Sequence, residues 1–181
     1  MQLRPFRPED REGVIALIDG VYREYGDQVC LENADADLLD ITDHYLATGG
    51  SFVVLDDAGH IRGSHAIVPL DATRRLCTFR RLYLDPELRG GDWGRRLMDW
   101  ALDQAAAQGF QRVEFWSDTR FTRAHHFFAS LGFQRDGRVR EMLDSHQPYH
   151  EYFFFRELAT NDSADRREPA RAVDLSIASH R

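Results

Sequence analysis

Hydrophobic residues follow two different spacings along this chain, and the change from one to the other predicts an α/β fold. After Pro8, apolar side chains recur every three or four residues, as on one face of an amphipathic helix. Other segments carry short apolar and aromatic runs bounded by Gly, Pro or Asp, which is typical of strands. The predicted order is a strand, two helices and three antiparallel strands, followed by alternating helices and strands and a closing hairpin.

The segments that carry these patterns define the expected elements. Strands are predicted over residues 3–6, 51–55, 61–68, 76–84, 110–116 and 149–155. Helices are predicted from Pro8 to Tyr25, over 37–47, from Gly94 to Gly109 and over 122–131. These elements combine into a mixed, mostly antiparallel central sheet of about seven strands with helices on both faces.

The length of 181 residues suits one domain. Residues 1–158 hold the periodic segments, whereas residues 159–181 are polar and are predicted to form a flexible tail. No apolar run approaches the roughly 20 residues of a membrane span, and the charged N-terminal segment lacks the pattern of a secretory signal. We therefore expect a cytoplasmic protein that does not associate with membranes.

The net charge and the cysteine and histidine residues indicate which kinds of ligand the protein could bind. The formal charge of −7 disfavours nucleic-acid binding and favours a cationic substrate. The two cysteines, Cys30 and Cys77, form no paired thiol motif, and the eight histidines form no ligand-like cluster. No metal site is therefore expected.

A glycine-rich loop between the strand 76–84 and the next helix is the most informative motif. Its sequence is Arg89-Gly90-Gly91-Asp92-Trp93-Gly94, followed by two further arginines. The first turn of a helix has unpaired N–H groups and a partial positive charge, and glycines let a phosphate approach them. The spacing fits neither a Walker loop nor a dinucleotide-binding motif. A different phosphate ligand is therefore predicted.

This loop resembles the Arg/Gln-x-x-Gly-x-Gly/Ala signature of the GCN5-related N-acetyltransferases (GNAT), which holds the pyrophosphate of acetyl-CoA. Leu131-Gly132-Phe133 resembles the Leu-Gly-Phe that closes the fourth helix in that family. The two motifs occur in the family's order, and the resemblance covers residues 1–158. It implies the GNAT fold, in which two central strands separate to admit the cofactor, and acetyl-CoA as co-substrate.

The resemblance also implies which residues bind acetyl-CoA. They are Leu82, Tyr83, Leu84, Arg89, Gly90, Gly91, Asp92, Trp93, Gly94, Arg95, Phe121, Ala124 and Phe128. The implied reaction is direct attack on the thioester by a primary amine of a small molecule or a peptide N-terminus. The aromatic strand 149–155 could pair across a homodimer, as in many members of the family.

Three positions depart from the family's pattern. The usual tyrosine acid is replaced by Phe128, the asparagine that often begins the fourth helix by Phe121, and one motif glycine by Asp92. A phenyl ring cannot donate a proton, so the catalytic residues stay unassigned. Candidate substitutes are Tyr83, Glu141, His146 and Tyr149, with Asp144 and His150 beside them.

These departures leave alternatives to an active acetyltransferase. The chain could be a catalytically weakened CoA-binding or protein-interaction domain. It could also be an acyltransferase that uses a larger acyl-CoA, if Phe121 and Phe128 reshape the thioester pocket. In the family, the first helix and the loop after it line the acceptor pocket, which here includes Tyr22, Tyr25 and Glu32.

Overall fold

The computed structural model describes residues 1–158, so the predicted tail over 159–181 lies outside the described residues. Its α-helices are α1 (Arg11–Arg23), α2 (Trp93–Ala107) and α3 (Thr122–Ser130). Its strands are β1 (Gln2–Pro5), β2 (Ser51–Asp57), β3 (His60–Asp71), β4 (Leu76–Leu84), β5 (Arg112–Asp118), β6 (Gln134–Met142) and β7 (Tyr149–Glu157). None of the helices within residues 1–158 has the length and apolar character needed to cross a bilayer.

The strands form one seven-stranded sheet in the order β1-β2-β3-β4-β5-β7-β6. Neighbouring strands are antiparallel except β4 and β5, which are parallel. Ala58 and Gly59, with φ of 51° and 91°, close the hairpin between β2 and β3. Two consecutive left-handed residues match the twist of the flanking strands, which is why this turn contains glycine. The predicted mixed, mostly antiparallel sheet is confirmed.

Two apolar cores lie on the two faces of this sheet. The first core includes Val14 of α1 and Ala66 of β3. The second includes Ile67 of β3, Met98 of α2 and Phe128 of α3. Adjacent residues of β3 belong to different cores because successive side chains of a strand point to opposite faces. Helices therefore cover both faces, as predicted.

The predicted helix over 37–47 is not an α-helix. Ala36–Asp40 form a 3-10 turn, and Thr42–Leu46 form a π turn. Asp and Thr side chains compete with helical backbone hydrogen bonds, which weakens the local preference for a regular helix. Leu38 and Tyr45 are almost fully buried in the first core, so tertiary packing fixes this segment instead.

The two parallel strands separate along their length. Their pairing covers only residues 76–78 against 112–114, although β4 continues to Leu84 and β5 to Asp118. A gap therefore opens between the carboxyl-terminal halves of β4 and β5. Ligands of open α/β sheets bind beyond the carboxyl ends of such strands. The gap is the part of the fold in which a site is expected.

Candidate active site between the diverging strands

A β-bulge in β4 shapes one edge of the gap. Between the pairs Ser64–Tyr83 and Ala66–Arg80, β4 carries one more residue than β3. Arg81 lies in this bulge with φ of 55°, a left-handed conformation that costs an L-residue roughly 1–2 kcal/mol. The hydroxyl of Ser64 donates to the Arg81 carbonyl at 2.7 Å, which holds the backbone in this shape.

The side chain of Arg81 also holds the bulge in place, through ion pairs with carboxylates outside the sheet. It is buried, with 6% of the side chain exposed, and contacts two carboxylates. Its Nη1 lies 2.6 Å from Asp35 Oδ1, and its Nε lies 3.0 Å from Asp37 Oδ2. Burial opposes the charge on Asp37, but Arg81 outweighs burial and lowers the pKa of that carboxyl. The strained backbone is therefore held by a buried ionic cluster, which would be costly to leave half-paired.

A pair of tyrosine hydroxyls extends this cluster toward the gap. Tyr22 OH donates to Asp35 Oδ1 at 3.3 Å and lies 3.0 Å from Tyr83 OH. The two rings pack edge to face with centroids 5.8 Å apart. Burial raises the pKa of both phenols above the ordinary value, so both are protonated at neutral pH.

One cavity in the gap lies against the glycine-rich loop and has a volume of about 320 Å³; we call it the loop cavity. The predicted cofactor-binding residues that line it are Leu82, Tyr83, Leu84, Arg89, Gly90, Gly91, Gly94, Arg95, Phe121, Ala124 and Phe128. Asp92 and Trp93 do not line it. Asp92 is exposed at the start of α2, and Trp93 packs under the guanidinium of Arg96 at 4.7 Å.

The sequence interpretation missed one cation of the loop cavity. Arg123 lines it, and a Cβ added to Gly90 would lie 3.3 Å from Arg123 Nη2. Gly90 has a φ of 90°, so the loop adopts a backbone conformation that favours glycine. Arg123 makes no ion pair within residues 1–158, whereas Arg95 pairs with Asp99. The sequence does place Arg123 directly before Ala124, which was predicted to bind the cofactor, and this position could have identified it.

The second cavity lies between β4 and β5 and has a volume of about 130 Å³; we call it the strand cavity. Residues of α1 and β7 also line it. The two cavities have five lining residues in common, which are Leu82, Tyr83, Phe121, Ala124 and Phe128. They therefore meet at one junction, where a molecule in one cavity can contact a molecule in the other.

Carboxylates outnumber arginines around the strand cavity. Arg120 pairs with both Asp118 and Asp27, at 2.6 Å and 2.9 Å from its Nη2. Arg81 likewise serves two carboxylates. The cavity is lined by four carboxylates and three arginines, so its walls carry one excess negative charge when all are ionised; they are Asp27, Asp35, Asp118 and Glu151, and Arg80, Arg81 and Arg120. This charge favours a cation in the strand cavity.

Glu151 also lines the strand cavity and was missed by the sequence interpretation. It lies on β7 opposite Asp118 of β5, and its Oε2 accepts from Arg140 Nε at 2.7 Å. Burial raises the pKa of Glu151, and the negative charge of Asp118 adds to the shift. A carboxylate with a raised pKa is well suited to accept a proton near neutral pH. Only the cross-strand register, which the sequence does not specify, could have identified it.

The four catalytic candidates from the sequence fall into two groups. Tyr83 and Tyr149 line the strand cavity. Glu141 is exposed on β6, opposite His150, and lines neither cavity. His146 lies outside both cavities, where its Nε2 is 3.2 Å from the side-chain nitrogen of Gln28. Glu141 and His146 therefore do not reach the junction.

Phe128 occupies the position of the usual acid and is only 6% exposed. Its ring packs against Phe115 and Phe154, with centroids 5.0 Å and 5.3 Å apart. The residue is therefore part of the second apolar core as well as of the cavity wall. Replacement of a polar acid by phenylalanine here is consistent with this aromatic packing.

His65 forms part of the wall of the strand cavity and is completely buried. Its Nδ1 lies 3.1 Å from the carbonyl of Leu97, so the neutral ring donates there. Its Nε2 has no hydrogen-bond partner within residues 1–158. Burial lowers the pKa of His65 to about 4, and the ring is neutral at physiological pH.

The sequence of this chain is similar to known acetyltransferases. A sequence model described as Acetyltransferase (GNAT) domain matches residues 48–135. The Escherichia coli protein named uncharacterized N-acetyltransferase YjgM is 25% identical over 135 residues, which are 73% of this chain and 81% of that protein. The rat N-acetyltransferase family 8 member 2 is 31% identical over 111 residues, covering 60% of this chain and 48% of that protein.

Solved structures show the same fold. An acetyltransferase of the GNAT family from Staphylococcus aureus superposes with a TM-score of 0.75 at 20% identity, covering 87% of this chain and 99% of that one. A phosphinothricin acetyltransferase from Sinorhizobium meliloti, in complex with AcCoA, superposes with a TM-score of 0.69 at 20% identity over 95% and 94%. The loop, the diverging strands and these similarities agree, and the chain belongs to the GNAT acetyltransferase family.

Proposed function

We propose that this protein transfers the acetyl group of acetyl-CoA to a primary amine by direct attack of the amine on the thioester. The observation that carries the proposal is the meeting of the loop cavity and the strand cavity at one shared junction. The glycines and arginines that line the loop cavity favour a phosphorylated cofactor, and the strand cavity favours a cation. A thioester at the junction would therefore lie within reach of an amine in the strand cavity.

The loop cavity would hold the cofactor. The N–H groups at the start of α2 and the guanidinium of Arg123, which has no ion-pair partner among residues 1–158, suit the pyrophosphate. The pantetheine arm would follow Leu82 and Leu84 of β4, where the gap leaves the strand edge unpaired by β5. Support comes from the Sinorhizobium meliloti structure of the same fold, which is a complex with AcCoA.

The strand cavity would hold the acceptor. A primary amine arrives mainly as an ammonium ion at neutral pH, and the excess of carboxylates there attracts it. Attack requires the neutral amine, so a proton acceptor must lie close by. Glu151 meets this requirement, because it lines the cavity and its pKa is raised by burial. Backbone N–H groups released by the bulge at Arg81 could donate to the oxyanion.

Calorimetric titration with acetyl-CoA, followed by an amine screen with thiol release as the readout, tests this function. We expect micromolar binding and turnover of at least one class of primary amine. Arg123→Ala should weaken acetyl-CoA binding about tenfold, because it removes a cation from the proposed phosphate site. Arg74→Ala is the matched control, since Arg74 is exposed in the β3–β4 turn at the opposite end of β4.

Two results would contradict the proposal. One is no acetyl-CoA binding by the unmodified protein, and the other is binding without turnover on any amine. The second result would support a CoA-binding domain instead. The screen has a low background because all 23 basic residues of the chain are arginine, so the protein has no lysine side chain to acetylate.

A further inference from the structure

The junction between the two cavities contains one side chain that can donate a proton. Of the five shared residues, Leu82, Phe121, Ala124 and Phe128 carry no ionisable group, and the fifth is Tyr83. The proposed reaction releases the thiolate of CoA at this junction. A thiolate that leaves in a mostly apolar environment needs a proton, and Tyr83 is placed to supply it.

The surroundings of Tyr83 favour this role. Its hydroxyl lies 3.0 Å from Tyr22 OH, which donates to Asp35, and Asp35 is paired with Arg81. The phenol is thus tied to a buried positive charge through two hydrogen-bonded groups. Tyr22 has one hydroxyl proton, which must turn from Asp35 to the Tyr83 oxygen when the Tyr83 proton leaves. That hydrogen bond and the charge of Arg81 then stabilise the tyrosinate against the effect of burial. Tyr22 lines the strand cavity but not the loop cavity, so it acts on Tyr83 and does not reach the junction.

We propose that Tyr83 is the general acid of the reaction and that Tyr22 positions it. This inference rests on the proposed transfer from acetyl-CoA. Glu151 first takes a proton from the ammonium ion and releases it to solvent. The neutral amine nitrogen then forms a bond to the thioester carbon, and the second proton that it loses moves to Glu151. The carbon–sulfur bond breaks with its electron pair on sulfur, and the Tyr83 hydroxyl proton moves to that sulfur. Tyr83 regains a proton from solvent, and Glu151 releases one, so the products are the amide and the free thiol.

The test compares replacement of the two tyrosines by phenylalanine and by a fluorinated, more acidic tyrosine. We expect Tyr83→Phe to lower kcat about 10²-fold or more while the Kd of acetyl-CoA stays within threefold. Tyr22→Phe keeps the acid and should lower kcat only about threefold to tenfold. Fluorotyrosine at position 83 preserves the hydroxyl and the packing. It should move the alkaline limb of the kcat profile to lower pH, whereas the same residue at position 22 should leave that limb in place.

The outcomes separate this inference from the proposed function. If the unmodified protein turns over no amine, the proposed function fails, and the role of Tyr83 in that reaction fails with it. If the unmodified protein is active, retention of more than half of kcat in Tyr83→Phe would overturn the inference alone. An alkaline limb that fluorotyrosine at position 83 does not shift would also overturn it, even if Tyr83→Phe fails to fold.

Discussion

Glu24 binds both terminal nitrogens of Arg89, with Nη1–Oε2 and Nη2–Oε1 distances of 2.7 Å. The Nε of Arg89 donates to the carbonyl of Leu84 at 3.1 Å. Glu24 follows α1, and Leu84 ends β4. The guanidinium therefore ties the end of α1 to the end of β4 at the entrance to the glycine-rich loop, and all three of its nitrogens are engaged.

We expect Arg89 to support cofactor binding by holding the loop. Arg89→Ala and Glu24→Gln should then weaken acetyl-CoA binding by similar factors of about threefold to fivefold, since a partly exposed ion pair contributes at most about 1 kcal/mol. The double variant should bind about as weakly as either single variant, which calorimetry can measure. Tighter binding by Glu24→Gln would instead identify Arg89 as a phosphate ligand that Glu24 restrains.

Gly94 lies in the first turn of α2 and lines the loop cavity. A Cβ there would lie 3.8 Å from Leu84 Cδ2 and 3.9 Å from Phe127 Cζ, which is ordinary contact. Gly94→Ala should therefore raise the free energy of unfolding by about 0.5 kcal/mol through helix propensity. It should also weaken acetyl-CoA binding, because the methyl group occupies space in the cavity.

A matched variant separates these two effects of Gly94→Ala. Gly20 lies in α1, and a Cβ added to it meets nothing within 4 Å. Gly20→Ala should raise stability to a similar extent and leave the Kd of acetyl-CoA unchanged. Thermal unfolding and calorimetry on both variants provide the comparison. Unchanged cofactor affinity in Gly94→Ala would show that the cofactor does not approach this turn.

The sequence predicts the elements of this fold well where the pattern is local. The strand over 76–84 and the glycine-rich loop were placed correctly because an apolar run, glycines and an amphipathic helix follow one another directly. The segment over 37–47 is helical as predicted, but as a 3-10 turn and a π turn, because its conformation depends on burial of Leu38 and Tyr45 in a core assembled from distant residues. Local sequence preference therefore determines the strand and the loop, whereas tertiary packing determines the conformation of residues 37–47.

The candidate site could be predicted only in part, for a related reason. Most residues of the loop cavity lie in the segments that carry the two motifs, from β4 to the start of α2 and along α3, so the motifs identified most of them. Glu151 depends on its register opposite Asp118, and the bulge at Arg81 depends on carboxylates more than forty residues earlier in the chain. A strained arginine held by distant partners leaves no local signature.

Glu151 as proton acceptor leads to a prediction about pH. The carboxylate is the active form, and its pKa is raised, so kcat should fall as pH decreases through that pKa. Glu151→Gln should lower kcat about 10²-fold and remove this acid limb from the profile. Glu141→Gln is the control, because Glu141 is exposed on β6 and lines neither cavity. An acid limb that persists in Glu151→Gln would assign it to another group.

His65 leads to a prediction about stability that does not depend on catalysis. Its pKa is about 4 in the folded protein because of complete burial, against an ordinary value of 6.5 that the unfolded chain should show. The unfolded state therefore binds a proton that the folded state excludes. The stability associated with neutral His65 is fully present above pH 6.5 and is lost as pH falls toward 4.

The size of this effect is about 3 kcal/mol, from the difference between the two pKa values at about 1.4 kcal/mol per unit. Other groups also titrate over this range, so the comparison must be made against a variant. His65→Asn removes the titrating ring and can still donate to the Leu97 carbonyl. Urea unfolding at pH 7 and pH 4.5 covers most of this range and should show that the wild-type protein loses about 2 kcal/mol more stability than His65→Asn. Equal losses in the two proteins would mean that water reaches the Nε2 of His65 and that the ring titrates near its ordinary pKa.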